Sequence, residues 1–332
     1  MKIAILGCGA WGTALALALG GRHEVRLWGR DAARVEALQT TRENRRYLPG
    51  ALLPAEVSLT SDLAAATVDA GLVLAVVPTN ALRDTLRALR AVGSRVPIVW
   101  ACKGFEQATG KLPHQIVEEE LGTAALCGVL SGPSFAREVA EGKPAALTLA
   151  SHDAAFAQAT ARELHGLRLR VYSSGDVAGV ELGGALKNVI AIAAGASDGL
   201  DLGNNARAAL ITRGLAETTR LGVKLGGHPE TFMGLSGVGD LVLTCTGDLS
   251  RNRRVGLELA KGETLAAILA KLGHVAEGVY TAPEVARIAA DVGVEMPITE
   301  AVCALLEGRV SAAEAVDALM RRDPKAEGGA PP

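Results

Sequence analysis

A lysine followed by an asparagine inside an apolar helix offers this sequence its clearest chemistry. Lys187 and Asn188 lie in Glu181-Leu182-Gly183-Gly184-Ala185-Leu186-Lys187-Asn188-Val189-Ile190, a stretch otherwise rich in Ala, Val, Ile and Gly. Burying a charge or an amide among such neighbours is unfavourable without partners, so the pair marks either an exposed helical face or a site. The paired glycines favour a site, because they let another backbone or a ligand come close. Four other polar groups fall where predicted strands or helices end: Lys103 in Cys102-Lys103-Gly104, the turn Ser131-Gly132-Pro133-Ser134-Phe135-Ala136, Asp240 in Gly237-Val238-Gly239-Asp240-Leu241, and Ser250-Arg251-Asn252. Taken singly, these read as a surface lysine, a helix cap, a loop aspartate and an N-cap serine. Together they read as an anion clamp beside a carboxylate that orients a lysine.

A second constellation opens the chain. Gly7-Cys8-Gly9-Ala10-Trp11-Gly12 follows a predicted strand, Lys2 to Leu6, and leads into a helical segment, Thr13 to Leu19. In that context Gly-x-Gly-x-x-Gly is a dinucleotide fingerprint. Gly7 makes the tight turn, Gly9 lets backbone approach a pyrophosphate held by helix N-terminal N–H groups, and Gly12 lets helix and strand pack closely. The end of the next strand, Leu27-Trp28-Gly29-Arg30-Asp31, lies where the ribose is read. A guanidinium at Arg30 suits the 2′-phosphate of NADP. Asp31 would suit the hydroxyl of NAD or cap the next helix. NADP is therefore the expected cofactor, with NAD left open.

Positioning these groups requires an α/β frame. Up to about Ser173, short apolar runs at Lys2 to Leu6, Glu24 to Trp28, Gly71 to Val76, Pro97 to Ala101, Ala125 to Val129, Ala145 to Leu149 and Arg168 to Val171 alternate with helical segments. That is the pattern of a mostly parallel sheet covered on both faces. Beyond Gly175 the pattern becomes helical, with long segments at Val177 to Ala196 and Arg207 to Leu221. The expected architecture is a Rossmann-type dinucleotide-binding domain over 1–174, a mainly α-helical domain over 175–322, and a mobile Gly/Pro-rich tail over 323–332.

Composition narrows the class. With 34 basic and 36 acidic residues the net charge is −2, so no global positive field exists for nucleic acid or an anionic membrane. The five cysteines are scattered without Cys-x-x-Cys, which reads as reduced thiols in a cytoplasm. The six histidines include no i, i+4 pair, so no metal site is expected. The apolar runs 72–78 and 189–196 fall well short of the roughly 18 residues that suggest a membrane span.

These motifs resemble the NAD(P)-dependent glycerol-3-phosphate dehydrogenase family, and the resemblance runs from Met1 to about Arg322. It rests on the glycine fingerprint with Trp11, the Leu27-Trp28-x-Arg30-Asp31 strand end, Lys103-Gly104, the Ser131 to Ala136 turn, Leu182 to Asn188, Gly237-x-Gly239-Asp240-Leu241, Ser250-Arg251-Asn252 and Val275-x-Glu277-Gly278. It implies that Lys187 is the proton donor or acceptor and that Lys103, Gly132, Ser134, Asp240, Ser250, Arg251 and Asn252 contact a small phosphorylated substrate. It further implies that Ala10, Trp11, Arg30, Lys103, Ala136, Arg251, Val275 and Glu277 line the cofactor, and that the chain is a homodimer. One departure is Ala10, where relatives often carry serine; backbone donors are unaffected.

The implied reaction is reversible hydride transfer between NAD(P)H and dihydroxyacetone phosphate, giving sn-glycerol 3-phosphate for glycerophospholipid synthesis. Negative charge grows on the carbonyl oxygen as hydride arrives, so a cation that can also release a proton lowers the barrier twice. Burial beside Lys103 would bring Lys187 down from the ordinary lysine pKa of about 10.4. Two other readings remain: a 3-hydroxyacid-type two-domain dehydrogenase, which would recognise a carboxylate, and an NADP-sensing protein without turnover.

Overall fold

The central strands of the sheet carry side chains apolar enough to be covered on both faces. In strand β1 (Lys2–Leu6), Ile3 and Ile5 enter the core on one side of the sheet while Ala4 and Leu6 enter the core on the other, the two-residue alternation of a strand. The computed structural model describes residues 1–107, 109–273 and 276–323; Val275 and the expected tail beyond Asp323 lie outside the described residues.

The first half continues with α1 (Ala10–Gly20), β2 (Glu24–Trp28), α2 (Ala32–Thr41), β3 (Ser58–Thr60), α3 (Leu63–Thr67), β4 (Leu72–Ala75), α4 (Thr79–Ala91) and β5 (Ile98–Trp100). It ends with α5 (Pro113–Leu121), β6 (Cys127–Ser131), α6 (Ala136–Ala140), β7 (Ala145–Ala150), α7 (Ala154–Leu164) and β8 (Leu169–Ser174). The strands form one sheet in the order β3-β2-β1-β4-β5-β6-β7-β8. The first six are parallel, and β7 turns antiparallel to β6 before pairing in parallel with β8. The order 3-2-1-4-5-6 is that of a doubly wound sheet whose ligands bind beyond the carboxyl ends of the strands. The seven expected strands are present, with the fifth of them displaced from 125–129 to Cys127–Ser131 because residues 122–125 form a turn. Strand β3 was not expected: three residues containing one buried Leu59 give too short a pattern to register.

The second half is helical: α8 (Val177–Gly199), α9 (Gly203–Lys224), α10 (Pro229–Phe232), a π-helical turn (Leu235–Gly239), α11 (Asp240–Thr246), α12 (Arg251–Ala260), α13 (Leu265–Leu272), α14 (Glu277–Asp291), α15 (Pro297–Leu306) and α16 (Ala312–Met320). Helix α8 is the axis. It is long and apolar enough to cross a membrane, but 89% of its most apolar window is buried within the chain itself. Helix α12 crosses it at backbone contact: a Cβ on Gly256 would stand 1.9 Å from the Ile192 carbonyl oxygen, and one on Gly195 would stand 1.9 Å from that of Arg253. No residue larger than glycine fits this crossing.

A buried acid ties α9 to α15. The Glu217 carboxylate accepts the N–H of Ile298 at 2.8 Å and that of Thr299 at 3.4 Å, capping α15, and burial pushes its pKa up to about 7. Because the folded chain holds this proton more tightly than the unfolded one, the group's contribution is complete below 4.5 and is lost as pH rises through about 7. Glu217→Gln should therefore flatten the stability lost between about pH 5 and pH 8, a difference on the order of 3 kcal/mol measurable by denaturant unfolding. Identical pH slopes in the two proteins would exclude this role.

Candidate active site

Lys187 projects from the middle of α8 onto Asp240, the first residue of α11. Its Nζ donates to Asp240 Oδ1 and, at 3.0 Å, to Thr244 Oγ1. The other carboxylate oxygen, Oδ2, accepts from Lys103 Nζ at 2.6 Å, and the same ammonium lies 3.5 Å from the Gly132 carbonyl. One buried carboxylate thus holds two ammonium groups, one on each oxygen. Asp240 is 1% exposed and the Lys187 and Lys103 side chains 10% and 18%, so two ammonium groups share one carboxylate with little access to water. Burial lowers the Lys187 pKa to about 8; Asp240 opposes the shift and the neighbouring Lys103 adds to it.

Local sequence explains the placement. Strand β5 ends at Trp100, and the chain runs on through Ala101 and Cys102 to Lys103, whose carbonyl accepts from Thr79 Oγ1 at 2.9 Å. The Lys103 stem lies over Gly184, where a Cβ would stand 3.5 Å from its Cγ and Cδ. The π-helical turn bends at Gly237 and presents Asp240 to α8. Ser131 Oγ, buried beside Gly184, has no hydrogen-bond partner among the described residues.

A second polar chain starts at Asn188, the next residue of α8 after Lys187. Asn188 Nδ2 donates to Glu277 Oε2 at 3.3 Å, Asn252 Nδ2 donates to Asn188 Oδ1 at 2.8 Å, and Asn252 Oδ1 accepts from Gly278 N at 2.9 Å. Asn252 therefore fastens α12 to α8 and α14, with one N–H left over. Burial pushes Glu277 upward, opposed by the charges of Arg251, Lys103 and Lys187. Arg251 begins α12 and is exposed. Ser250 Oγ caps the same helix by accepting from Arg253 N at 3.2 Å, and Ser134 Oγ donates to the Gly132 carbonyl at 3.2 Å.

The dinucleotide fingerprint lies at the end of β1. Gly7 has φ +121°, and a Cβ there would stand 2.2 Å from the Val76 carbonyl oxygen; one on Gly12 would stand 1.9 Å from that of Gly7. Gly9 has open space around its Cβ position and caps α1 without a side chain, so the first-turn N–H groups face a cradle suited to a pyrophosphate. Ala10 and Trp11 pack with Ala136 in one apolar cluster. Asn44, which the sequence did not single out, donates to the Cys8 carbonyl at 2.9 Å and to Thr13 Oγ1 at 2.8 Å, fastening the glycine loop from outside. Asp31 caps α2 by accepting from Arg34 N at 3.1 Å, whereas the exposed Arg30 has no hydrogen-bond or ion-pair partner among the described residues. The residues fit a dinucleotide whose phosphates rest on α1, and no contact joins Arg30 to the lysine cluster. Among the described residues no group of three His, Cys, Asp or Glu side chains could hold a metal ion.

Such a site can hold an anionic, carbonyl-bearing molecule and protonate its oxygen beside a dinucleotide. Comparison with known proteins agrees. Residues 2–157 match the model for the NAD-dependent glycerol-3-phosphate dehydrogenase N-terminus, and residues 176–317 match that for its C-terminus. A Dechloromonas aromatica protein named glycerol-3-phosphate dehydrogenase (NAD(P)+) is 58% identical over 327 residues, covering 98% of this chain and 99% of its own. A Nitrosospira multiformis protein of the same name is 60% identical over 331 residues, covering 98% and 99%. The crystal structure of glycerol-3-phosphate dehydrogenase from Coxiella burnetii superposes with a TM-score of 0.92 at 42% identity, covering 97% of this chain and 99% of that one. From the glycine cradle through the shared carboxylate to the last helices, the chain belongs to the NAD-dependent glycerol-3-phosphate dehydrogenase family.

Proposed function

We propose that this chain reduces dihydroxyacetone phosphate to sn-glycerol 3-phosphate, reversibly, with Lys187 as the proton donor. The observation that carries the reading is the pair of lysines on the two oxygens of Asp240. Lys187 gives its proton to the carbonyl oxygen as charge develops there, and Lys103 stabilises the same oxygen electrostatically. Asp240 orients both ammonium groups while leaving the site net positive. Arg251 holds the substrate phosphate as a fork of donors, with Gly132, Ser134, Ser250 and Asn252 shaping that end. Gly7, Gly9, Ala10, Trp11, Gly12 and Ala136 hold the dinucleotide, with Arg251, Val275 and Glu277 toward its other end. When bound, the reduced nicotinamide supplies the hydride. The free guanidinium of Arg30, beside an Asp31 already occupied as a cap, supports NADP over NAD.

The division into a dinucleotide-binding unit over 1–174 and a catalytic unit over 175–322 follows from this reading, as do a homodimer, a cytoplasmic setting for five free cysteines, and supply of the glycerol backbone of phospholipids.

The direct test follows NADPH and NADH absorbance after adding dihydroxyacetone phosphate, with unphosphorylated dihydroxyacetone as control. Oxidation confined to the phosphorylated ketone, faster with NADPH, is the expected result. Turnover of a hydroxyacid instead, or cofactor binding without turnover, would overturn the reading. Arg251→Ala should raise KM for the phosphorylated ketone at least about tenfold with a smaller change in kcat, because the phosphate contact is made in ground and transition states alike. An unchanged KM would remove Arg251 from the clamp.

A further inference from the structure

Glu181 has no part in the reaction just described, yet it is one of the best-connected charges in the molecule. It sits on α8 six residues before Lys187, with its side chain 1% exposed. Its Oε1 accepts from the indole Nε1 of Trp100 at 2.7 Å and from the backbone N–H of His114 at 2.9 Å; its Oε2 pairs with His114 Nδ1 at 2.5 Å. Trp100 is the last residue of β5 and is 1% exposed. His114 stands in the first turn of α5, after Pro113, so the carboxylate also satisfies a helix N-terminal donor.

The position is a seam. Val177 and Val180 of α8 belong to the apolar core that contains Trp100 and Cys102, whereas Leu182, Ala185 and Leu186 belong to the core of the helical half. An apolar side chain would fill such a seam at lower cost, since a buried charge must recover its desolvation through its partners. What a carboxylate adds is direction: three bonds from two other elements admit one register of α8 against β5.

That register leads to the two lysines. Trp100 meets Glu181; three residues on along each segment, the Lys103 stem lies against Gly184; three residues further along α8 is Lys187. We propose that Glu181 is a positioning residue, which sets the register of α8 against the exit of β5 and so the spacing of the Lys103 and Lys187 ammonium groups on Asp240. The inference rests on the assignment of those lysines above.

The charged groups around Lys187 are Lys103 from the exit of β5, Asp240 from α11, and Arg251 and Glu277 from the starts of α12 and α14. Losing the Glu181 bonds lets Lys103 withdraw, weakening the repulsion that lowers the Lys187 pKa. The alkaline limb of ketone reduction then moves to higher pH as the rate falls.

The test compares kcat, KM and the pH profile of NADPH-dependent ketone reduction in Glu181→Leu, Glu181→Gln, Trp100→Phe and Lys187→Ala. Glu181→Leu should lower kcat about tenfold, the cost of a small misplacement of catalytic groups, and move the alkaline limb upward while KM for NADPH holds. Glu181→Gln, which keeps an oxygen for Trp100 and His114, should recover most of the loss. Trp100→Phe removes a single donor and should show the same two changes in smaller measure, which keeps the test open if Glu181→Leu does not fold. Normal kcat per folded molecule with an unmoved limb in Glu181→Leu or Trp100→Phe overturns the proposal, even if Tm falls. Near-normal turnover in Lys187→Ala overturns the lysine assignment first and this inference with it.

Discussion

Replacing Lys187 with alanine is expected to lower kcat for ketone reduction at least about a hundredfold, the low end for loss of a general acid, while NADPH still binds. The two halves of that expectation come from different parts of the fold. The dinucleotide rests on the glycine loop at the end of β1, which Asn44 fastens independently of α8. The proton comes from an ammonium on α8 whose pKa burial has brought to about 8. A donor is useful while it is protonated, so kcat for reduction in the unaltered protein should fall as pH rises through about 8, and the reverse reaction should gain over the same interval. A Lys187→Ala protein with near-normal turnover, or an unaltered protein with no alkaline limb, would dismiss Lys187 as the donor.

Asp240→Asn should also depress turnover, through charge rather than through loss of the donor. The Asp240 carboxylate is the main influence holding the Lys187 pKa up against burial. Without it, two ammonium groups face a neutral amide, and Lys187 surrenders its proton at lower pH. The alkaline limb should move down by at least about one unit, so that turnover near pH 8 falls about fivefold or more and partly returns near pH 6. This is the opposite direction from the shift expected of Glu181→Leu, so the two variants distinguish loss of an attractive charge from loss of a repulsive one. A limb that stays in place with normal turnover would remove Asp240 from the site.

Much of this arrangement was legible in the amino-acid sequence because it depends on local contrast. Lys187 stands out as a charge in an apolar helix, and Gly7, Gly9 and Gly12 stand out by spacing after a strand. The illegible parts depend on distant partners. Glu181 is as anomalous among its neighbours as Lys187, but near a helix start it passes for an acid that complements the helix dipole, and its partners lie 67 and 81 residues away. Asn44 sits in a charged stretch, Arg42 to Tyr47, that reads as an exposed loop; its value appears once Cys8 and Thr13 are brought beneath it. Ser250 was legible as the helix cap it proves to be, and Asn252 as a polar group near the site, but not as the interhelical tie that its side chain forms.

The glycine crossing of α8 and α12 has a bearing on which molecules are admitted. Arg251 starts α12 and Lys187 lies on α8, and the two helices touch backbone to backbone at Gly195 and Gly256, with Asn252 bonded to Asn188 nearby. Neither helix can slide along the other without breaking those contacts. Under the proposed assignment, the scaffold therefore fixes the spacing of the two helix positions that carry the phosphate-holding guanidinium and the proton-bearing ammonium, and the pair acts as a gauge of chain length: a longer phosphorylated ketone should fit the two groups less well than the three-carbon one.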